Sequence, residues 1–339
     1  MEIGGVLLLA WIAAAVLTGL IRRYALTAKL LDIPNRRSSH TRPTPRGGGV
    51  AIVIVFLCGL PVLTWMGLLA AQSAWAIGGA GAAIALIGFL DDHQHIPARW
   101  RLLAHFTSAA GGLWGLGGLP PLDFLGHTLD LGWIGHLLGV ICLVWLINLY
   151  NFMDGIDGLA GIEAITVCLG GVLLYGTSGA HGLWMEPALL AMAAAGFLGW
   201  NFPPARIFMG DAGSGFLGIV LGLMSLQAAG IAPAFFWSWM ILLGVFIVDA
   251  TWTLLQRLLQ GEKAYEAHRS HAYQYASRYY GSHRPVSLAV GAINLCWLMP
   301  LALAVGANRL DGLLAVALAY FPLILLAIKF KAGAQEHAL

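Results

Sequence analysis

The sequence predicts an all-α membrane protein that crosses the bilayer many times. Of its 339 residues, 59% are hydrophobic and only 10% are charged, whereas about 25% of the residues of an ordinary soluble domain are charged. The hydrophobic residues group into about eleven apolar runs, each long enough to cross a hydrocarbon core of ~30 Å. Because unpaired backbone groups are costly in lipid, we expect these runs to be helices.

The runs belong to a single membrane domain over residues 1–339. The first run is followed by Arg22 and Arg23 and by no small-residue cleavage site, so we expect it to be a retained helix. The four cysteines all lie in apolar runs and show no CxxC pair or disulfide framework. The predicted spans are 3–21, 48–68, 74–90, 102–119, 133–150, 159–176, 183–200, 213–229, 234–256, 286–306 and 310–328.

Basic residues are distributed unevenly between the two ends of the predicted helices. If the N-terminus lies outside, all of the 18 Lys and Arg residues except Arg309 fall on one face. By the positive-inside rule that face is cytoplasmic, and a miscounted helix would have scattered the basic residues over both faces. The cytoplasmic loops are therefore predicted at about 22–47, 91–101, 151–158, 201–212 and 257–285.

Acidic residues form three tight groups on the same face, in "GFLDDHQH", "NFMDGIDG" and "FMGDAGSG". The groups contain Asp91 and Asp92, Asp154 and Asp157, and Asp211. One acidic pair at a helix end is often only a cap or a solvated terminus, but three groups on one face favour a shared site. Carboxylates gathered beside basic residues indicate a divalent cation and an anionic substrate, and oxygen ligands favour Mg²⁺.

Two further acids, Glu163 and Asp249, lie inside predicted spans. Ionisable residues at membrane depth usually face a bundle interior or an aqueous cavity. Asp249 is interpreted either as a site residue or as a helix–helix partner, and its position in the cytoplasmic half of its span favours the site.

The first cytoplasmic loop, "DIPNRRSSHTRPTPRGGG", carries His40, Arg42 and Arg46. A basic loop beside a membrane often serves only as a topological signal that binds anionic lipid headgroups. Here the prolines stiffen the loop, and Gly47–Gly49 open the second helix, where free N–H groups are expected to meet an anion.

The loop after the ninth run contains "HRSHAYQ", which brings His268, Arg269 and His271 within four positions. This trio beside tyrosines suits a diphosphate and a nucleotide. Zn²⁺ is the alternative ligand, although no cysteine lies nearby to complete such a site.

The motifs "GFLDD", "NFMDGIDGLAG", "FMGDAGSG" and "HRSHAYQ", in this order on alternate loops, resemble the polyprenyl-phosphate N-acetylhexosamine-1-phosphate transferases, glycosyltransferase family 4. The resemblance runs from about Asp32 to His271. It implies an all-helical membrane enzyme of ten or eleven spans with a cytoplasmic active-site cleft. It also implies that undecaprenyl phosphate attacks the β-phosphorus of a UDP-N-acetylhexosamine and releases UMP, with Mg²⁺ or Mn²⁺ as the cofactor.

The resemblance also assigns roles to individual residues. Asp211 is implied as the leading Mg²⁺ ligand, with Asn151 as the second partner at the metal or at the sugar phosphate. Asp91 and Asp92 match the family's aspartate pair, in which Asp91 deprotonates or orients the lipid phosphate, and Asp157 contacts the nucleotide or sugar as the third catalytic residue. The substrate-binding residues that it implies are Asp154, His268, Arg269, His271, His40, Arg42 and Arg46.

Two features favour one branch of the family. Arg269 stands inside the motif where the phospho-N-acetylmuramoyl-pentapeptide transferases have a run of histidines, and "SSHTRPTPRGGG" replaces the lysine-rich first loop of that branch. The pattern is closer to the enzymes that initiate O-antigen and other cell-surface polysaccharides. We therefore expect a multi-pass protein of the bacterial inner membrane that starts lipopolysaccharide or related envelope glycan synthesis, as a monomer or a homodimer, with the sugar left open.

Two other classes of protein fit part of the pattern. An intramembrane aromatic prenyltransferase is also helical and Mg²⁺-dependent, but it needs DxxxD-like clusters, and "DDHQH" lacks the later acid. A transporter for an anionic substrate would carry its ionisable residues near the membrane midplane, on broken helices that repeat between two halves. Within the transferase hypothesis, a two-step path through an aspartyl-phosphate stays open beside direct attack.

Overall fold

The computed structural model of the protein describes residues 3–34, 39, 42–94, 96–179, 182–262 and 269–334. It is almost entirely helical, which confirms the predicted fold class of an all-α polytopic membrane protein. The first half of the chain forms the helices α1 (Ile3–Thr27), α2 (Val50–Trp65), α3 (Ala71–His93), α4 (Ala98–Gly115), α5 (Gly132–Met153) and α6 (Leu159–Ser178). The second half forms α7 (Met185–Asn201), α8 (Asp211–Ala229), α9 (Pro233–Leu242), α10 (Gly244–Leu259), α11 (Ala272–Tyr279), α12 (His283–Ile293), α13 (Met299–Gly306) and α14 (Gly312–Lys329).

Each of the eleven predicted spans coincides with one helix or with two consecutive helices. Within the described residues, seven helical stretches are long and apolar enough to cross a membrane, one of them running from α12 through α13, and the bent pair α9 and α10 makes eight. The helices α2 and α7 are shorter than 18 residues, and α4 carries Arg99 and Arg101 near its start. The count of eleven crossings therefore stays a prediction.

The centre of the bundle is α8, of which 94% is buried. It packs between α3 and α5, and between Asp211 and Gln227 its residues are small or apolar on all sides, as expected of a helix without a solvent-facing or lipid-facing stripe. The C-terminal ends of α3 and α5 meet the N-terminal end of α8. This arrangement brings the three acidic motifs together at one end of the bundle.

Two of the predicted spans are irregular. The pair α9 and α10 bends by 71° between Leu242 and Gly244, and a π-helical segment, Asn294–Leu298, joins α12 to α13. A π-segment leaves part of the regular hydrogen-bond ladder unmade and often marks a local change of direction. After the bend, Asp249 in the middle of α10 contacts the N-terminus of α11.

Two short antiparallel hairpins lie in the loops. The strands β1 (Leu31–Asp32) and β2 (Thr44–Pro45) form the base of the first loop, next to the acidic motifs. The strands β3 (Leu122–Phe124) and β4 (His127–Leu129) connect α4 to α5 at the opposite end of the bundle. There the indole N–H of Trp237 donates to the main-chain oxygen of Asp123 at 2.5 Å, which fixes this second hairpin to α9.

Candidate active site

Asp92, at the end of α3, faces the N-terminus of α8. Its Oδ1 accepts the N–H of Asp211 at 3.2 Å, and its Oδ2 accepts the N–H of Ala212 at 3.3 Å. The guanidinium of Arg46 lies 3.9 Å from Asp92 Oδ1 and also donates to the main-chain oxygen of Asp92. A carboxylate here satisfies free N–H groups and complements the helix dipole. Asp92 therefore fixes the start of α8 and, with it, the position of Asp211.

Asp91 points toward α4 instead. Its Oδ1 accepts the N–H of Ile96 at 2.8 Å, and its Oδ2 pairs with the guanidinium of Arg101. The same guanidinium lies 3.7 Å from Asp211 Oδ2. Arg101 is a site residue that the sequence patterns assigned only to the basic face. The signal for it was the short spacing in sequence between the acidic pair and Arg101, since α3 ends at His93 and α4 begins at Ala98.

Asp211 is the most exposed of the acids whose ion pairs the structure describes. Its side chain is 37% exposed, compared with 6% for Asp91, 5% for Asp92 and 13% for Asp157. One turn farther along α8, Ser214 Oγ accepts a hydrogen bond from Asn151 Nδ2 at 3.2 Å. Asn151 and Asp211 therefore lie beside each other, as the resemblance implies, and the Asp211 carboxylate is available to a ligand.

The carboxylates of Asp92, Asp154, Asp157 and Asp211 line one cavity of about 280 Å³, together with Arg46. We call it the acidic cavity. Burial raises the pKa of Asp154 well above its usual range, and the negative charges of Asp211, Asp92 and Asp157 raise it further. A bound cation would relieve this repulsion.

Asp157 is held by two neighbouring segments. Its Oδ2 accepts the N–H of Ala205 at 2.9 Å, and its Oδ1 lies 3.1 Å from Nδ1 of His283. His283 is a second residue that no motif indicated, because it lies outside "HRSHAYQ", just before the apolar run at 286–306.

A larger cavity of about 790 Å³ opens beside the first one. We call it the arginine cavity, because Arg42, Arg269, Arg278 and Arg284 line it. Only Arg42 and Arg269 were predicted as binding residues. The two cavities share the lining residues Ser39, Asp157, Phe208 and His283. The described site thus combines a negative compartment with an adjoining positive one.

Asp249 anchors the segment that contains "HRSHAYQ". Its oxygens accept the N–H groups of Ala272 at 2.9 Å and Tyr273 at 3.0 Å, and Oδ1 lies 3.2 Å from Nδ1 of His271. Asp249 therefore holds the N-terminus of α11. Of the two interpretations of Asp249, the contact supports a partner between helices, and Asp249 lines neither cavity. His271 is 3% exposed and does not line either cavity, so the structure separates it from Arg269.

The glycines at the start of α2 have a different role from the one expected. The N–H groups of Gly48 and Gly49 donate to the main-chain oxygens of Phe208 and Met209 at 2.9 and 2.8 Å, so they are not free to bind an anion. A Cβ on Gly49 would lie 2.5 Å from the Cα of Gly213. These glycines let the first loop and α2 approach the "FMGD" segment closely, and for Gly48 and Gly49 the expectation of free N–H groups that bind an anion is wrong.

The structure brings seven of the predicted residues to the walls of the two cavities. They are Arg42, Arg46, Asp92, Asp154, Asp157, Asp211 and Arg269. Asp91, Asn151 and His271 lie behind these walls and hold other groups. His40 and His268 lie outside the described residues. The roles of all these residues in catalysis and binding stay predictions.

The donor set suits Mg²⁺ bound together with a substrate. In the described parts of the chain, no three His, Cys, Asp or Glu side chains converge closely enough to hold a metal ion, because Asp91, Asp92 and Asp157 are turned toward protein donors. The carboxylates that remain on the cavity wall are those of Asp211 and Asp154, and the amide of Asn151 lies beside Asp211. Mg²⁺ typically takes one or two protein ligands and completes its shell with water and substrate phosphates, so the residues fit this ion.

The family model for glycosyl transferase family 4 matches residues 74–229. A probable undecaprenyl-phosphate N-acetylglucosaminyl 1-phosphate transferase of Bacillus subtilis is 30% identical over 283 residues, which cover 81% of this chain and 77% of the relative. A decaprenyl-phosphate N-acetylglucosaminephosphotransferase of Mycobacterium tuberculosis is 31% identical over 305 residues, which cover 80% and 75%. A phospho-N-acetylmuramoyl-pentapeptide-transferase of Moorella thermoacetica is 33% identical over 200 residues, which cover 54% and 61%.

These similarities extend well beyond the four motifs and favour a transferase over an aromatic prenyltransferase or a transporter. They agree with the way the structure gathers "GFLDD", "NFMDGIDG" and "FMGD" at one end of a helical bundle. The chain belongs to glycosyl transferase family 4, the family of the polyprenyl-phosphate N-acetylhexosamine-1-phosphate transferases.

Proposed function

We propose that the protein transfers an N-acetylhexosamine-1-phosphate from a UDP-sugar to undecaprenyl phosphate and releases UMP. The observation that carries this proposal is the junction of an acidic cavity with an arginine cavity at the ends of apolar helices. Two phosphorylated anions must meet in this reaction, and one of them has a lipid tail. The names of the relatives support the same reaction, since they describe polyprenyl-phosphate N-acetylglucosamine-phosphate transferases.

In the proposed reaction, a phosphate oxygen of the lipid attacks the β-phosphorus of the donor. A new P–O bond forms, the bond from the β-phosphorus to the bridging oxygen breaks, and UMP takes that oxygen. The sugar C1–O bond is not broken, so the anomeric configuration is retained. Because both reactants are anions, the site must reduce their repulsion and align the attacking and leaving oxygens.

The residues of the acidic cavity meet these requirements in different ways. Mg²⁺, when bound at Asp211 and Asn151, supplies positive charge to the phosphates. Asp92 holds Asp211 in place through the start of α8. Asp91 holds the guanidinium of Arg101 beside Asp211, where Arg101 binds the attacking phosphate. Since both Asp91 oxygens already have partners, Asp91 orients the lipid phosphate through Arg101 and does not need to act as a base.

The arginine cavity binds the donor. Its guanidinium groups pair with phosphate oxygens in bidentate geometry, and Asp157 marks the boundary at which the donor enters the acidic cavity. The cavity is much larger than a diphosphate, which leaves room for the nucleoside. Arg278 and Arg284 thus join Arg42 and Arg269 as binding residues.

The cellular setting is part of the same proposal. The excess of Lys and Arg on the motif-bearing end supports a cytoplasmic position for this end, and the proposal assigns the helices to the bacterial inner membrane. There the donor is soluble and the lipid acceptor enters from the bilayer. The product would start an O-antigen, a lipopolysaccharide or a related cell-envelope glycan.

The test is UMP release by purified protein in detergent with undecaprenyl phosphate and a panel of UDP-N-acetylhexosamines. Release that requires lipid and Mg²⁺, and that falls at least about a hundredfold in Asp211→Asn, supports the proposal and identifies the sugar. Asp311→Asn is the matched control, because Asp311 caps α14 at the opposite end of the bundle. No release with any donor by folded protein would contradict the proposal.

A further inference from the structure

His283, the first residue of α12, connects two loops that border both cavities. Its Nδ1 lies 3.1 Å from Asp157 Oδ1, and its Nε2 lies 3.1 Å from the main-chain oxygen of Ser39. Its side chain is only 16% exposed. The ring therefore bridges the first loop, which carries Ser39, and the "NFMDGIDG" loop, which carries Asp157.

Ser39 and Asp157 determine which nitrogen of the His283 ring donates a hydrogen bond and which can accept one. A carbonyl oxygen only accepts hydrogen bonds, so Nε2 carries the hydrogen that faces Ser39. On the other side, Nδ1 faces both the carboxylate and the main-chain N–H of Asp157, the latter at 3.3 Å. A protonated ring donates to the carboxylate, and a neutral ring accepts from the N–H. His283 holds Asp157 in either protonation state.

Three segments of the protein meet at Asp157, and the first loop is joined to them through His283. Besides the ring of His283, the hydroxyl of Ser287, one turn farther along α12, donates to the main-chain oxygen of Asp157 at 2.7 Å. The N–H of Ala205, from the loop before α8, donates to Asp157 Oδ2. Among the described residues, no direct contact joins the first loop to Asp157, so His283 links the two.

The residues in this contact also form the passage between the cavities. Ser39, Asp157 and His283 line both the acidic and the arginine cavity. A ligand that extends from one cavity into the other must pass them. The separation between the first loop and the "NFMDGIDG" loop therefore sets the width of the passage.

We propose that His283 is a positioning residue that sets this passage and, through it, the affinity for the phosphorylated donor. The inference rests on the proposed function, in which the donor extends from the arginine cavity to the acidic cavity. His283 does not touch the reacting phosphorus, so its loss weakens donor binding more than it slows the chemical step. We expect His283→Ala to raise the KM for the donor about tenfold, the effect of 1.4 kcal/mol, with kcat changed less than about threefold.

Conservative variants separate positioning from a general loss of structure. The amide nitrogen of Asn in His283→Asn replaces Nδ1 and keeps the contact to Asp157, whereas that of Gln in His283→Gln replaces Nε2 and keeps the contact to Ser39. Each variant should recover part of the KM lost in His283→Ala. His136→Ala is the control, since its ring accepts the N–H of Leu119 far from the site, and it should leave KM and kcat unchanged.

A second measurement tests the contact without relying on activity. The contact uses the main-chain oxygen of Ser39, so Ser39→Cys in a protein without other cysteines preserves it. Maleimide should label Cys at position 39 several-fold faster when His283→Ala is added, because the first loop is released. An unchanged labelling rate, or an unchanged donor KM in a wild-type protein that releases UMP, would overturn the inference. If the wild-type protein released no UMP, the proposed function would fail, and labelling alone would decide whether His283 holds the first loop.

Discussion

Asp91 and Asp92 are adjacent in the chain, yet they serve different helices. Successive residues on an α-helix point about 100° apart, so Asp91 reaches Arg101 on α4 while Asp92 reaches the N-terminus of α8. We predict that Asp92→Asn lowers the melting temperature, because its amide group would face an N–H that needs an acceptor. The expected loss is about 1–2 kcal/mol.

This prediction is checked by thermal unfolding in detergent, with Asp211→Asn measured in parallel. The Asp211 side chain is 37% exposed and caps no helix, so its substitution should remove activity but leave the melting temperature near that of the wild type. Equal melting temperatures for Asp92→Asn and the wild type would show that the cap contributes nothing.

Asp154 should make stability depend on pH. Its pKa is raised in the folded protein by burial and by the charges of Asp211, Asp92 and Asp157. The folded state then holds this proton more tightly than the unfolded state, so its contribution to stability falls as the pH rises through and above the usual range for Asp. In EDTA, Asp154→Asn should therefore unfold at a higher temperature than the wild type at pH 8, and this advantage should disappear near pH 4.

The control for this pH dependence is Asp123→Asn, in the hairpin at the opposite end of the bundle. It should follow the wild-type curve of melting temperature against pH. Parallel curves for Asp154→Asn and the wild type would contradict the assigned repulsion.

The acidic motifs could be found from sequence because charge is rare in apolar chains, so three acidic groups on one predicted face stood out. Their partners could not be found in this way. Arg101 and His283 come close to the motifs only because short turns and the packing of α12 bring them there. Asp92 and Asp211 looked alike in sequence, and only the orientation of α8 distinguishes a capping acid from an exposed one.

At the scale of elements, α11 depends on contacts with its neighbours more than on its own length. A helix of eight residues is too short to be stable alone, and Asp249 satisfies two of its first N–H groups. We predict that Asp249→Ala speeds hydrogen exchange over Ala272–Tyr279 and reduces UMP release. Hydrogen exchange with mass spectrometry measures the first effect directly.

Asp311→Ala is the matched variant, because Asp311 Oδ1 also accepts an N–H at a helix start, that of Leu314. It should speed exchange only at the start of α14 and leave UMP release unchanged. If Asp249→Ala left exchange in α11 unaltered, the anchoring role of Asp249 would be wrong.

The same helix docks on the "NFMDGIDG" loop through Tyr273. The hydroxyl of Tyr273 donates to the main-chain oxygen of Phe152 at 2.8 Å, and a Cβ on Gly155 would overlap it. We predict that Gly155→Ala lowers both stability and activity, and that adding Tyr273→Phe recovers part of the loss by removing the overlapping oxygen. A double-mutant cycle in melting temperature and UMP release should give a coupling of about 0.5–3 kcal/mol, and additive losses would contradict this packing.

Elements that depend on hydropathy were predictable, whereas those that depend on packing were not. Every predicted span lies on a helix, because a long apolar run has few alternatives in a membrane. The 71° bend between α9 and α10 gives no proline or charge signal at its position. The docking of α11 was equally hidden, since it contacts the loop after α5, far away in the chain, as well as α10, which precedes it.

On the scale of the whole molecule, the arrangement separates two kinds of surface. Exposed apolar side chains such as Leu8, Trp75 and Leu325 cover the sides of the helices, while the acidic and arginine cavities lie together at one end. In the proposed reaction, a lipid phosphate reaches that end without leaving the bilayer, and a soluble donor reaches it from water. The proposed function therefore requires that the motif-bearing end face the compartment that contains the donor.

The orientation provides the last prediction. With the motif-bearing end in the cytoplasm, a membrane-impermeant maleimide added to intact cells should label Thr128→Cys, on β4 at the opposite end. It should label Ala28→Cys, just after α1, only after the membrane is permeabilised. The background must lack the native cysteines, because Cys58 and Cys296 are exposed on the helices. Labelling of Ala28→Cys in intact cells, without labelling of Thr128→Cys, would reverse the orientation and place both cavities on the side that lacks the UDP-sugar.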